Sequence, residues 1–90
     1  MTTNPEWIQV DPERVLDALQ EAIDKASRTE GGVFLDFSSV RRIDAGEVRA
    51  LEALAHLASA KAIKVALRGV RVEVYKVLKL LKLTQSFGFE

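Results

Sequence analysis

An α/β fold follows from three observations on this sequence: two short β-rich runs at Val33–Phe37 and Lys61–Leu67, three stretches with apolar residues at helical spacing, and the alternation of the two kinds along the chain. Strands separated by helices pair in parallel through right-handed crossovers, so the central strands are expected to be parallel neighbours. At 90 residues the chain has room for one domain, 1–90, with a single core. Its 48% apolar and 29% charged residues are those of an ordinary globular protein.

Residues 1–6 are polar and unpatterned, and Trp7-Ile8-Gln9-Val10 reads as one short strand. The Asp11-Pro12 break then predicts a helix start, with Asp11 as N-cap acceptor and Pro12 in the first turn. Val15, Leu16, Leu19, Ala22, Ile23 and Ala26 recur as one helical face, with Asp17, Glu21, Asp24 and Lys25 opposite. Gly31-Gly32 ends this helix and lacks the further glycines and lysine of a phosphate loop.

Val33–Phe37 is a short apolar run suited to a covered central strand, and Ser38-Ser39 reads as a turn. Asp44 followed three residues later by Glu47 matches a reciprocal capping box. Val48, Leu51, Leu54, Ala55 and Ala58 carry the second helix to about Ala60. In the third strand Ile63, Val65 and Leu67 alternate with Lys64 and Ala66, and Gly69 marks the next turn. Val74, Val77, Leu78 and Leu81 define a last helix with Lys76, Lys79 and Lys82 on its wet side, and Thr84–Glu90 supplies a terminal strand or a packed tail. Neither central run has enough polar alternation for a wet face.

Composition removes several function classes. The absence of cysteine excludes a disulfide framework and a thiolate nucleophile or metal site, and one histidine, His56, cannot supply an imidazole set. Asp36 and Asp44 are too weak a pair to propose acid/base catalysis. No catalytic residue, metal or cofactor is therefore expected. Thirteen basic and thirteen acidic residues cancel, which argues against nucleic acid as the main partner. Their distribution is uneven: six acids and three bases from Asp11 to Glu30, seven bases and two acids from Lys61 to Glu90. With no apolar run of about 18 residues and no basic, apolar leader, a cytoplasmic location without membrane insertion is expected.

The residues from Gly32 to Phe87 resemble the STAS family, named for sulfate transporters and anti-sigma-factor antagonists. Val33-Phe34-Leu35-Asp36-Phe37-Ser38-Ser39-Val40 is similar to its strand ending in aspartate and a small polar turn. Arg42-Ile43-Asp44 is similar to its second anchor, and Leu67-Arg68-Gly69-Val70 with Val74, Val77, Leu78 and Leu83 to its last strand, turn and helix. The resemblance implies a mixed sheet with parallel central strands and covering helices. Here the N-terminal strand region is shortened, which leaves one sheet edge uncovered and open to a homodimer.

At the start of the second helix the family carries Asp followed by Ser or Thr, whereas this chain has Asp44-Ala45-Gly46-Glu47-Val48. In regulated members the resemblance implies phosphorylation of that hydroxyl by a partner that is both anti-sigma factor and kinase, a change of nearly two charges at an interface. Ala45 has no oxygen to accept phosphate; Ser38 and Ser39 are the nearest hydroxyls before it. The resemblance thus implies a non-catalytic binding module whose partner contacts are Asp44, Ala45, Gly46, Glu47 and Arg49, facing a kinase-like anti-sigma factor. Two other readings stand beside it: an accessory subunit bound to the ATPase of a lipid ABC transporter, and a self-associating scaffold. Plainer accounts serve the same residues, since Asp44 and Glu47 cap the helix and the lysines solvate one.

Overall fold

The computed structural model describes residues 7–29 and 31–90, and residues 1–6, read above as unpatterned, lie outside them. Four strands, β1 (Trp7–Gln9), β2 (Val33–Asp36), β3 (Val65–Arg68) and β4 (Gly88–Phe89), alternate with three helices, α1 (Val15–Arg28), α2 (Ala45–Lys61) and α3 (Val72–Leu80). The strands lie side by side in chain order. All three pairings are parallel. The parallel pairing expected of the central strands thus extends to both edges, and the antiparallel member of a mixed sheet is absent among the described residues.

Local chemistry explains most boundaries, and it moves two of them. The Asp11 side chain accepts from the Glu13 amide at 2.9 Å, and the Arg14 amide donates to the Asp11 carbonyl at 2.9 Å. These bonds close a turn before the helix, and Arg14, with φ −139° and ψ 41°, becomes the N-cap. Asp11 is therefore not the helix cap: a short aspartate side chain satisfies the amide two residues on as readily as a helix start. Gly32, at φ 99°, admits the chain to β2 where a Cβ would sit 2.9 Å from the Lys64 carbonyl oxygen. β3 begins two residues later than Ile63, because Ala62 adopts a left-handed cap at φ 55° and the Ile63 amide donates back to the Ala58 carbonyl.

Register sorts the sheet into two faces. Ile8, Leu35, Leu67 and Phe89 are aligned across the four strands, and the alternate row is Trp7 and Gln9, Phe34 and Asp36, Ala66 and Arg68, and Gly88. The first row, extended by Val10, Val33, Phe37 and Val65, belongs to the buried core with Leu19, Leu51, Leu54, Val74 and Leu78 from the helices. Tyr75 of α3 meets Phe89 edge-on at 5.2 Å, so α3 lies on this same face. α1 and α2 form the most extensively packed helix pair. Buried Ala18, Ala22 and Ala26 on α1 and Ala55 and Ala58 on α2 let their backbones approach closely. Lys61, at the end of α2, donates to the carbonyls of Ala26 and Ser27 at 2.9 Å each and so caps α1.

Two apolar residues expected in the core stand outside it. Leu16 is 44% exposed while Ala18 is buried, and Leu81 is 40% exposed beyond the end of α3 while Leu83 is buried instead. Among the described residues no helix lies over the second sheet face. The expectation that neither face is wet is met there only in part: Asp36 and Ala66 are buried by their neighbours without a helix above them, whereas Phe34 is half-buried and Lys64 exposed.

Candidate functional site

Open parallel sheets place their variable loops at the carboxyl ends of the strands, where helices begin and amides point outward. In this chain that rim is built around Asp36, the last residue of β2. Its Oδ1 accepts from the Ser38 hydroxyl at 2.6 Å and from the Ser38 amide at 2.9 Å; its Oδ2 accepts from Arg68 Nε at 2.9 Å and Gln9 Nε2 at 3.2 Å. The two Ser38 bonds lead in lowering the Asp36 carboxyl from 3.8 to about 2; burial opposes them, and the bonds from Arg68 and Gln9 add to the lowering. Asp36 is an anchor of the rim, and its chemistry is fully engaged in holding the turn.

The next loop is fastened to this turn. Gly69, at φ 68°, brings the β3–α3 loop so close that a Cβ would lie 2.7 Å from the Ser38 Cβ, and Arg71 Nε donates to the Ser38 carbonyl at 3.3 Å. From Ser38 the chain passes buried Val40 and half-buried Ile43 into α2. There the capping box read from the spacing is present: Asp44 Oδ1 accepts from the Glu47 amide at 2.8 Å, and Glu47 Oε1 accepts from the Asp44 amide at 2.9 Å. This leaves the amides of Ala45 and Gly46 without an intrahelical acceptor. Asp44, Ala45, Gly46 and Arg49 are exposed and Glu47 is half-buried, so the five residues singled out from the sequence occupy one contiguous helix start.

Beside the rim loops lies a feature that sequence reading missed. Arg41 and Arg42, from the loop before α2, and Arg71 and Glu73, from the start of α3, line a cleft of about 450 Å³. Three guanidinium groups against one carboxylate make it a favourable seat for acidic or phosphorylated groups. The signal was available in principle, since loops leaving adjacent parallel strands emerge side by side, but it required knowing that β2 and β3 are neighbours. The other basic residues of the C-terminal third do not join this cleft as one patch: Lys61 caps α1 and Arg68 is bound to Asp36. His56 is exposed in the middle of α2, away from the helix start. Among the described residues no cluster of three or more His, Asp or Glu side chains could hold a metal ion.

The family model described as the STAS domain matches residues 14–90, from the end of the first turn through β4. The chain belongs to the STAS domain family. STAS domains are generally non-catalytic modules that mediate protein–protein interactions, often as anti-sigma-factor antagonists or as transporter-associated units. A comparison with curated proteins finds no match. Among the described residues of this STAS domain no helix is long and apolar enough to cross a membrane.

Proposed function

We propose that residues 1–90 form one cytoplasmic, non-catalytic module that acts as an anti-sigma-factor antagonist. It holds a kinase-like anti-sigma factor at the start of α2 without a phosphorylation switch. The observation that carries this reading is Ala45, exposed in the first turn of a firmly capped helix between Asp44 and Gly46. A methyl group there packs against a partner and leaves the Ala45 and Gly46 amides to its acceptors, with no oxygen on which binding could be switched off. The arginine cleft beside it supports the same reading by giving acidic side chains of a partner a second foothold. Ser38 is a poor substitute acceptor, because its hydroxyl already donates to Asp36 and a phosphate would meet that carboxylate.

Calorimetric titration against the kinase-like anti-sigma factor of the same source, with and without ATP, tests the proposal. Wild-type chain is expected to bind and to keep its mass after incubation with ATP. Ala45→Ser is expected to gain a phosphate and lose affinity, and Ala45→Asp to bind at least tenfold more weakly, a difference of about 1.4 kcal/mol. If Ala45→Asp binds as tightly as wild type, the start of α2 is not the interface. Co-purification with a transporter ATPase in place of an anti-sigma factor would transfer the site to the accessory-subunit reading.

A further inference from the structure

Opposite flanks of the helical layer carry opposite charge. α1 lies at the β1 edge, where Gln9 shares a shallow cleft of about 220 Å³ with Asp11, Arg14, Asp17 and Glu21. Asp17 and Glu21 are exposed and make no ion pair among the described residues, while Asp24 is engaged by Arg28 at 2.6 Å. α3 lies at the β4 edge, as the Tyr75–Phe89 contact requires. Lys76, Lys79 and Lys82 surround Leu80 there, lining a cleft of about 500 Å³, and make no ion pair among the described residues. Leu80 is 82% exposed and the neighbouring Leu81 40%, so apolar surface lies amid the lysines.

We propose that the basic flank of α3, Lys76, Lys79 and Lys82 around Leu80, docks onto the acidic flank of α1, Asp17 and Glu21, of a second copy of this chain. The two sets match in reach, since Asp17 to Glu21 and Lys76 to Lys79 each span roughly 4 to 6 Å of helix axis. They are also complementary in sign, since the charges on each flank make no ion pair among the described residues. An anionic membrane or an acidic peptide would use the basic flank alone; a second copy gives the acidic flank a role as well. Because the contacting surfaces differ, a pair of copies keeps one free flank of each sign, one on each copy, and association runs head to tail instead of closing as a symmetric pair. This arrangement stands apart from the start of α2 and does not depend on the function proposed for it.

Sedimentation velocity of the full chain across a concentration series tests the proposal, at low salt and at roughly 0.5 M salt, where charges are screened within a few Å. At low salt the average mass is expected to climb beyond twice that of one chain and to fall back to one chain at high salt. Lys76→Glu/Lys79→Glu/Lys82→Glu and Asp17→Lys/Glu21→Lys are each expected to remain monomeric, with circular dichroism confirming their fold. Mixed together they should associate again, since one variant then offers two acidic flanks and the other two basic ones. A wild-type chain that stays monomeric at low salt overturns the proposal, as does association that both reversals leave intact or a mixture that does not restore it. Wild type that stays monomeric yet sediments with anionic vesicles overturns it in favour of a lipid surface. Should the triple variant fail to fold, the α1 variant and the salt series decide by the same criteria.

Discussion

The two faces of the sheet reach burial by different means. On the face under the helices, Val10, Val33, Leu35, Phe37, Val65 and Leu67 are held by non-directional apolar packing from three helices. On the other face, Trp7 meets Phe34 edge-on with centroids 5.4 Å apart, the Arg68 guanidinium lies 4.4 Å over the Trp7 ring, and Arg68 also donates to Asp36. Each of these contacts has a required geometry, and together they form one lateral chain across β1, β2 and β3. The difference teaches that a sheet face without a helix above it is closed by directional bonds between neighbouring strands, so it is sensitive to chemistry where the covered face is sensitive to volume.

The largest effect belongs to the covered face. Leu35→Ala removes a fully buried side chain from the central strand and is expected to cost roughly 2–5 kcal/mol in urea unfolding, through lost burial and a residual cavity. A near-neutral change would break the comparison, since volume would then not govern that face. On the open face Asp36→Asn nearly preserves volume while removing the charge and turning one acceptor oxygen into an amide donor, and it is expected to cost roughly 2 kcal/mol at neutral pH, the worth of a carboxyl lowered to about 2.

The pH dependence sharpens this second prediction. The folded chain holds the Asp36 carboxyl below its unfolded value of 3.8. Its contribution to stability is therefore complete above that value and drains away as pH falls from about 4 through about 2. Wild type and Asp36→Asn should converge in stability over that window. Parallel curves would show that the bonds to Ser38, Arg68 and Gln9 do not depend on charge.

The smallest effect is expected at Trp7→Leu, which keeps apolar bulk at the edge strand and removes the ring from Phe34 and Arg68. A loss of roughly 1 kcal/mol is expected from the aromatic and cation–π contacts together. Thermal unfolding of the variant measures it. In wild type the fluorescence of this single tryptophan should change with the main unfolding transition; an earlier change would place β1 outside the cooperative unit.

These two faces also mark what was legible in the sequence. The helix-covered face and the two central strands followed from periodicity, because apolar spacing reports directly on which side chains a helix can cover, whereas Thr84–Glu90 was open between a strand and a packed tail. The capping box at Asp44 and Glu47 was legible for a similar reason, being a local bond between residues three apart. What escaped depends on neighbours distant in the chain. Asp36 read as a strand terminus, but its partners Gln9 and Arg68 lie 27 and 32 residues away. The cleft joining Arg41 and Arg42 to Arg71 has the same origin. Asp11 misled because an aspartate before a proline serves a turn and a helix start equally well, and only the Arg14 backbone distinguishes them.

Strand order that repeats chain order has a consequence for how this molecule is assembled. Every strand finds its partner in the strand that comes next, across one intervening helix, so no early segment must wait unpaired for a distant one. The sheet can grow by adding successive strand–helix units to its advancing edge, a route compatible with emergence of the chain from the ribosome. β4 is the last to dock, and the Glu90 amide donating to the Leu67 carbonyl and the Gly69 amide donating to the Glu90 carbonyl fasten that edge to the β3–α3 loop. The final step of growth therefore also completes the bracing of the rim loops.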